Sequence, residues 1–335
     1  MVRRRLIVLA AALGWRAVAA ETGSPNTPPV PLRFGVLPIG GAVESRDKWA
    51  PLLNDMSRAL GRPVTALSVT SYESLEKAIQ RNEVDLALLS AKMALDAVSR
   101  QRMNVLAQVK RHSGEADHRA VLLVRKSGPL DNLDALLARP EQWRLARGDS
   151  RSVSGFILPQ VQLFLPHRIE METRFRGEII GTHQGTALAV ANGDADVATN
   201  NTTYFERFRQ QFPDEADRLQ VIWRSAPTPP AQIVVRQGVP LAAQKKAQVF
   251  LARYGQGTGP RADSEREALK SLGAAFGYVA ANNEALLPAA HLEYQLARQS
   301  ALNARWVNEA AREARLQRIE SQYAEQVAAL RNGAR

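Results

Sequence analysis

The chain has 335 residues, 45% hydrophobic and 23% charged, enough for one large domain or two lobes and too apolar for a disordered polymer. It contains no cysteine, which excludes disulfides, thiolate metal sites, a cysteine nucleophile and a lipid-anchoring cysteine. The formal net charge of +11 is spread along the chain without an aromatic-rich basic cluster, so no nucleic-acid partner is expected and a field that draws in small anions is the simpler reading.

The N-terminus reads as a secretory signal peptide, residues 1–20. "MVRRR" is a basic start, "LIVLAAALGW" is an apolar run too short to span a membrane, and "AVAAET" offers small residues for cleavage after Ala19 or Ala20. Removing Arg3, Arg4, Arg5 and Arg16 with it leaves 40 basic against 33 acidic residues, a balance of +7. An exported, periplasmic protein is therefore expected. Residues 21–31, rich in Pro, Ser and Thr, read as a linker.

The chain then alternates. "LRFGVLP" (32–38) is strand-like, 46–63 has helical apolar spacing, and "VTALSV" (64–69) is strand-like. "TSYESLEKAIQRNE" (70–83) is a helix opened by a Thr70-x-x-Glu73 capping box, and "VDLALLSA" (84–91) is a strand again. Such short succession predicts an α/β fold with mainly parallel sheets. The middle repeats the theme: "RLARGDS" as a strand end, "GFILPQVQLFL" as a helix, "GEIIGTH" (177–183) as a strand, "QGTALAVANGD" as a helix and "ADVATNN" (195–201) as a strand. "AIQRNEVDLALLSA" (78–91) and "AVANGDADVATNNT" (189–202) share one plan, a helix, a polar turn, an Asp and a short strand that ends in small residues. Either the two halves repeat a unit or the match is chance.

"VIWRSAPTPPAQIVVR" (221–236) reads as two strands around a Pro-rich crossing, and 240–290 as mostly helical. The tail, 291–335, reads as a long helix with at most one break. Leu292, Leu296, Trp306, Leu316, Ile319 and Tyr323 form its apolar stripe, which could pack on its own lobe or on a second copy as a homodimer.

The chemistry of catalysis is missing. The five histidines have no HExxH or paired spacing, and there is no GxSxG elbow, P-loop or post-strand GxGxxG, so neither a metal, a cofactor nor an enzyme is expected. Binding chemistry is present. "GDSRSVSGF" sets small hydroxyls and bare backbone between a strand and a helix. The free N–H groups and positive dipole end there suit a tetrahedral oxyanion, although a plain N-cap would use the same residues. Ser152 and Ser154 would donate through hydroxyls and Val153 through its backbone. His183 follows a strand at another helix start, and Tyr72 sits in the first turn of the capped helix; a loop histidine and a half-buried aromatic are the plainer alternatives.

"SVSGF", His183 29 residues after Ser154, "ALAVANGDADVATNNT", "VIWRS" and "IVVR" together resemble the periplasmic phosphonate-binding proteins of ABC transporters, from about Leu32 to the C-terminal helix. The resemblance implies a type II periplasmic binding fold, a clamshell of lobe 1 (32–124 plus 232–290) and lobe 2 (125–231), with a long C-terminal helix. It implies an anion pocket of Ser152, Val153, Ser154, His183 and Tyr72, with His118 where aminophosphonate binders have a second tyrosine. It implies capture of an oxyanion (phosphonate, phosphate or phosphite) and delivery to an ABC permease in the inner membrane. A periplasmic oxyanion sensor reporting to a membrane histidine kinase is the alternative. The carboxylates that hold an ammonium in aminophosphonate binders fall at Thr203 and Ala231 here, and "LALLSA" lacks the aromatics those binders place there. Because a buried ammonium without its counter-charge costs several kcal/mol, aminophosphonates are not expected as ligands.

Overall fold

The structure is a computed structural model that describes residues 30–37, 42–100, 102–111 and 118–333. The signal peptide and nearly all of the linker expected from the sequence lie outside these residues. Among the described residues no helix is long and apolar enough to cross a membrane.

In chain order the elements are β1 (Leu32–Val36), α1 (Ala42–Leu60), β2 (Val64–Ser68), α2 (Tyr72–Gln80), β3 (Leu86–Leu89), α3 (Ala91–Arg100), β4 (Met103–Val109) and β5 (Arg119–Arg125). There follow α4 (Leu133–Ala138), β6 (Arg144–Arg147), a helical run over 153–167, α5 (Met171–Arg174), β7 (Gly177–Ile180), α6 (His183–Asn192) and β8 (Val197–Asn201). The chain continues through α7 (Thr202–Gln211), α8 (Pro213–Asp217), β9 (Leu219–Pro227), β10 (Gln232–Arg236), α9 (Leu241–Arg253), α10 (Pro260–Ser271) and β11 (Tyr278–Ala280). It closes with α11 (Leu287–Asn303) and α12 (Glu309–Asn332).

Two mixed sheets result. The first runs β11-β4-β10-β3-β1-β2 and the second β7-β6-β8-β5-β9. β1 is parallel to β2 and β3, and β6 is parallel to β7 and β8, while β10 and β5 run antiparallel to their neighbours. Central strands β3 and β5 are near-continuous apolar runs, as expected where helices cover both faces of a sheet. The chain crosses between sheets twice, after β4 and after β9. The crossings are laced together: Arg111 donates to the Thr228 carbonyl and hydroxyl, the Thr228 amide donates to the His118 carbonyl at 2.8 Å, and the Val109 amide to the Ala231 carbonyl at 3.0 Å.

The α/β class and binding-protein architecture follow the sequence reading, with two corrections and two refinements. The first crossing comes earlier than placed, because β5 is hydrogen-bonded between β8 and β9 and so 119–124 belongs with the second sheet. The cap of α2 is Ser71, whose extended backbone lets its hydroxyl accept from the Ser74 amide at 3.0 Å; Glu73 instead pairs with Lys77 at 2.6 Å. β11 lies inside the stretch read as mostly helical, pairing antiparallel with β4. The tail breaks at 304–308, and α12 folds back along α11, with Tyr294 stacked on Tyr323 at 4.6 Å. Leu292, Leu296 and Tyr323 of the expected stripe pack on the chain's own core, the first of the two partners it could have had, and nothing supports a homodimer through it.

The sequence echo corresponds to a repeated piece of structure. Asn82 and Gly193, equivalent in the two segments, both take the left-handed turn conformation (φ 57° and 89°). The following aspartates do the same work. Asp85 accepts the Arg33 amide at 2.9 Å and Asp196 the Arg144 amide at 2.8 Å, and each also binds that arginine's guanidinium. Burial alone would raise both carboxyls, but bonds to the Arg33 amide and the Arg236 guanidinium at Asp85, and to Arg144 at Asp196, outweigh it and hold them below the usual range.

Candidate functional site

The site gathers at the C-terminal ends of β6 and β8, where three helices begin. Past β6 the chain turns through Gly148 and Asp149, and Ser152 caps the 153–167 helix by accepting the Gly155 amide at 3.0 Å. The first turn is a wide π turn, with the Ser152 carbonyl accepting from both Phe156 and Ile157 at 3.1 Å. The amides of Val153 and Ser154 donate to no group among the described residues, as expected of a helix start. Glycine is required here: a Cβ on Gly155 would lie 2.8 Å from Ser152 Oγ and 2.9 Å from Gly148 Cα. Thr199 locks the turn, donating to the Gly155 carbonyl at 2.7 Å and accepting the Gly148 amide at 3.1 Å.

Ser154 Oγ is 3.2 Å from His183 Nε2 and accepts from Asn201 Nδ2 at 3.3 Å. His183 opens α6, which Thr182 caps through the Gly185 amide at 3.1 Å. The ring is buried, and its Nδ1 has no hydrogen-bond partner. Burial pushes its pKa down to about 4, against a small opposing effect of the Thr199 backbone, so the ring is neutral near pH 7. Asn201 caps α7 by accepting the Tyr204 amide at 2.8 Å, and the Tyr204 ring lies 5.4 Å from the His183 ring.

Tyr72 reaches this group from the first half, at the start of α2. Burial pushes its phenol up to about 12, although the interaction with the Ser152 side chain favours the charged form. It therefore stays protonated and can donate. Beside it, Arg151 pairs with Glu76 of α2 at 2.7 Å and with Asp149 at 3.1 Å, and Ser90 Oγ donates to the Arg151 carbonyl at 3.2 Å. The two halves thus meet over the serine turn.

His118 and Thr203 form the next part of the wall, with His118 Nδ1 3.0 Å from Thr203 Oγ1. Burial, then the charges of Arg111, His183 and Arg207, hold His118 down to about 3. Ala231, the other position named from the sequence, lies in the second crossing and packs on the core of the first half. The structure thus brings Ser152, Val153, Ser154, His183 and Tyr72 together, with His118 and Thr203 alongside. Sequence reasoning missed Asn201, Tyr204 and Arg207. "NNTTY" at the end of a predicted strand is itself an N-cap signature and would have pointed to the first two.

Chemically, this is a cluster of uncharged donors: two backbone amides, two hydroxyls, a phenol and an imidazole. Such a set can wrap a tetrahedral oxyanion in charge-assisted hydrogen bonds. Among the described residues no group of three or more acidic or histidine side chains gathers as a metal site.

Comparison with known proteins identifies the family. The family model described as "ABC transporter, phosphonate, periplasmic substrate-binding protein" matches residues 34–286. The chain is 32% identical over 235 residues to the phosphonates-binding periplasmic protein of Escherichia coli (strain K12), covering 70% of this chain and 69% of that one. The binding-protein component of an ABC phosphonate transporter from Pseudomonas aeruginosa superposes with a TM-score of 0.82 at 27% identity, covering 90% and 97% of the two chains. A Prochlorococcus marinus (MIT 9301) protein in complex with methylphosphonate shares the fold, with a TM-score of 0.67 at 16% identity over 79% and 98%. With a family model spanning most of the chain and a curated relative of the same kind, this chain belongs to the periplasmic phosphonate-binding proteins of ABC transporters.

Proposed function

We propose that the chain is an exported, non-enzymatic binding component that captures a small phosphonate-like or phosphate-like oxyanion without an amine and hands it to a permease in the inner membrane. The observation that carries this reading is the buried Ser154–His183–Asn201 cluster, with a partnerless His183 Nδ1, beside the free Val153 and Ser154 amides. The anion takes these donors from the second half and Tyr72 from the first, so it binds the closed arrangement better and shifts the population toward it. The export signal read at residues 1–20 and the relatives' periplasmic description support the location.

The preference against aminophosphonates rests on the wall of the site. Thr203 and Ala231 carry no charge, and the two carboxylates near the serine turn, Asp149 and Glu76, are both held by Arg151. An ammonium would have no free counter-charge there. Calorimetry on the mature protein with methylphosphonate, phosphate, phosphite and 2-aminoethylphosphonate tests this. Tighter binding of methylphosphonate or an inorganic oxyanion is expected, and 2-aminoethylphosphonate as the tightest ligand would overturn the preference.

A further inference from the structure

Beside the oxyanion donors stands a cation that the cluster above leaves unused. Tyr204 and Arg207, three residues apart on α7, share a face of that helix. The Tyr204 ring lies 5.4 Å from the His183 ring, and the Arg207 guanidinium 5.6 Å from the Tyr204 centroid. Arg207 is half-buried, and one of its five N–H donors goes to the Ser271 carbonyl of α10, in the first half, at 2.9 Å. Thr203, which holds His118, and Arg207 both border Gly273 just beyond α10. Among the described residues no carboxylate pairs with Arg207, while the acids nearest the serine turn are occupied by Arg151. This stretch of wall is therefore positive, half-desolvated and supplied with donors in a planar fork, the form of a carboxylate receptor.

We infer that Arg207 reads a second negative group on the ligand, so that the favoured substrate class is a phosphonate carrying a carboxylate a short chain away from phosphorus. The inference rests on the oxyanion reading above: the phosphonate sits among Ser152, Val153, Ser154 and His183, its carbon chain runs over the Tyr204 ring, and the carboxylate meets the guanidinium. Burial keeps His118 neutral, and the nearby charges of Arg111 and Arg207 add to that effect.

The test is calorimetry of the full mature chain with methylphosphonate and phosphonoacetate, on the wild type, R207Q and R207K, each checked for folding by thermal unfolding. The wild type is expected to bind phosphonoacetate about tenfold or more tighter, the scale of one charge-assisted bond. R207Q should bring the ratio of the two affinities to about one and R207K should keep part of it. A wild type that binds methylphosphonate but gains nothing from the carboxylate overturns this assignment alone. Equal loss of both ligands in R207Q also overturns it and makes Arg207 a clasp on Ser271. A wild type that binds neither ligand overturns the oxyanion reading and this one with it.

Discussion

The two halves share a construction and differ in what they bring to the cleft. In each, a helix ends in a left-handed residue, an aspartate ties back to an arginine on the neighbouring parallel strand, and a short buried strand follows: Asn82, Asp85 and Arg33 in one, Gly193, Asp196 and Arg144 in the other. The second half then places two capped helix starts, at Thr182 and Asn201, beside the Ser152 turn, with Thr199 locking the arrangement. The first half offers Tyr72, Glu76 and Ser90. The repeated unit builds a scaffold, and the segments at the C-terminal ends of its strands decide which half supplies more of the donors at the candidate site. The second half is organised by its own hydrogen bonds, and the first half engages it through a few side chains.

This contrast predicts unequal damage. The largest effect belongs to the second half: Ser152→Ala with Ser154→Ala removes two bonds to a charged ligand, each worth about 1.5–3 kcal/mol, so affinity falls about 100-fold or more. Thermal unfolding should show a folded protein weakened by the lost cap, about 1 kcal/mol. Unchanged affinity would place the anion elsewhere.

Next comes acid. His183 and His118 sit at about 4 and about 3 in the folded protein against about 6.5 when unfolded. Between those values the unfolded chain binds more protons, so the unliganded protein loses stability as pH falls below 7, about 1–2 kcal/mol per histidine by pH 5. Denaturant titrations at pH 7, 6 and 5 measure this, and His183→Gln should flatten the slope. Bound anion should oppose the loss by favouring the imidazolium.

The smallest effect is on the first half. Glu76→Gln breaks a partly exposed ion pair with Arg151 worth at most about 1 kcal/mol, so ligand escapes up to about fivefold faster in stopped-flow while the association rate holds. A tenfold or larger loss would mean that Glu76 does more than latch the halves.

The alternation of strands and helices was legible because its apolar runs and turn residues are local. So was the serine turn, since a strand, small hydroxyls and a helix lie within a dozen residues. The region between α3 and β6 was not read, because β4 and β5 owe their places to pairing with β10, β8 and β9, far along the chain. The early first crossing was missed for the same reason. Asn201 falls inside a quoted motif as the end of a strand, and Tyr204 lies two residues past that motif, which ends at Thr202. Arg207 had no local signal at all; its position follows from contacts with Tyr204 and Ser271, which only the folded chain brings together.

The C-terminal hairpin touches both halves from behind. Glu293 pairs with Lys92 of α3, while Asn303 donates to the Leu165 carbonyl at the end of the 153–167 helix, at 2.9 Å. On the proposed closing motion, a strap fastened to both halves would limit the swing and set the resting angle. Loosening it at Lys92 or Asn303 would change how readily cargo is retained or released, without altering a single group that touches the cargo.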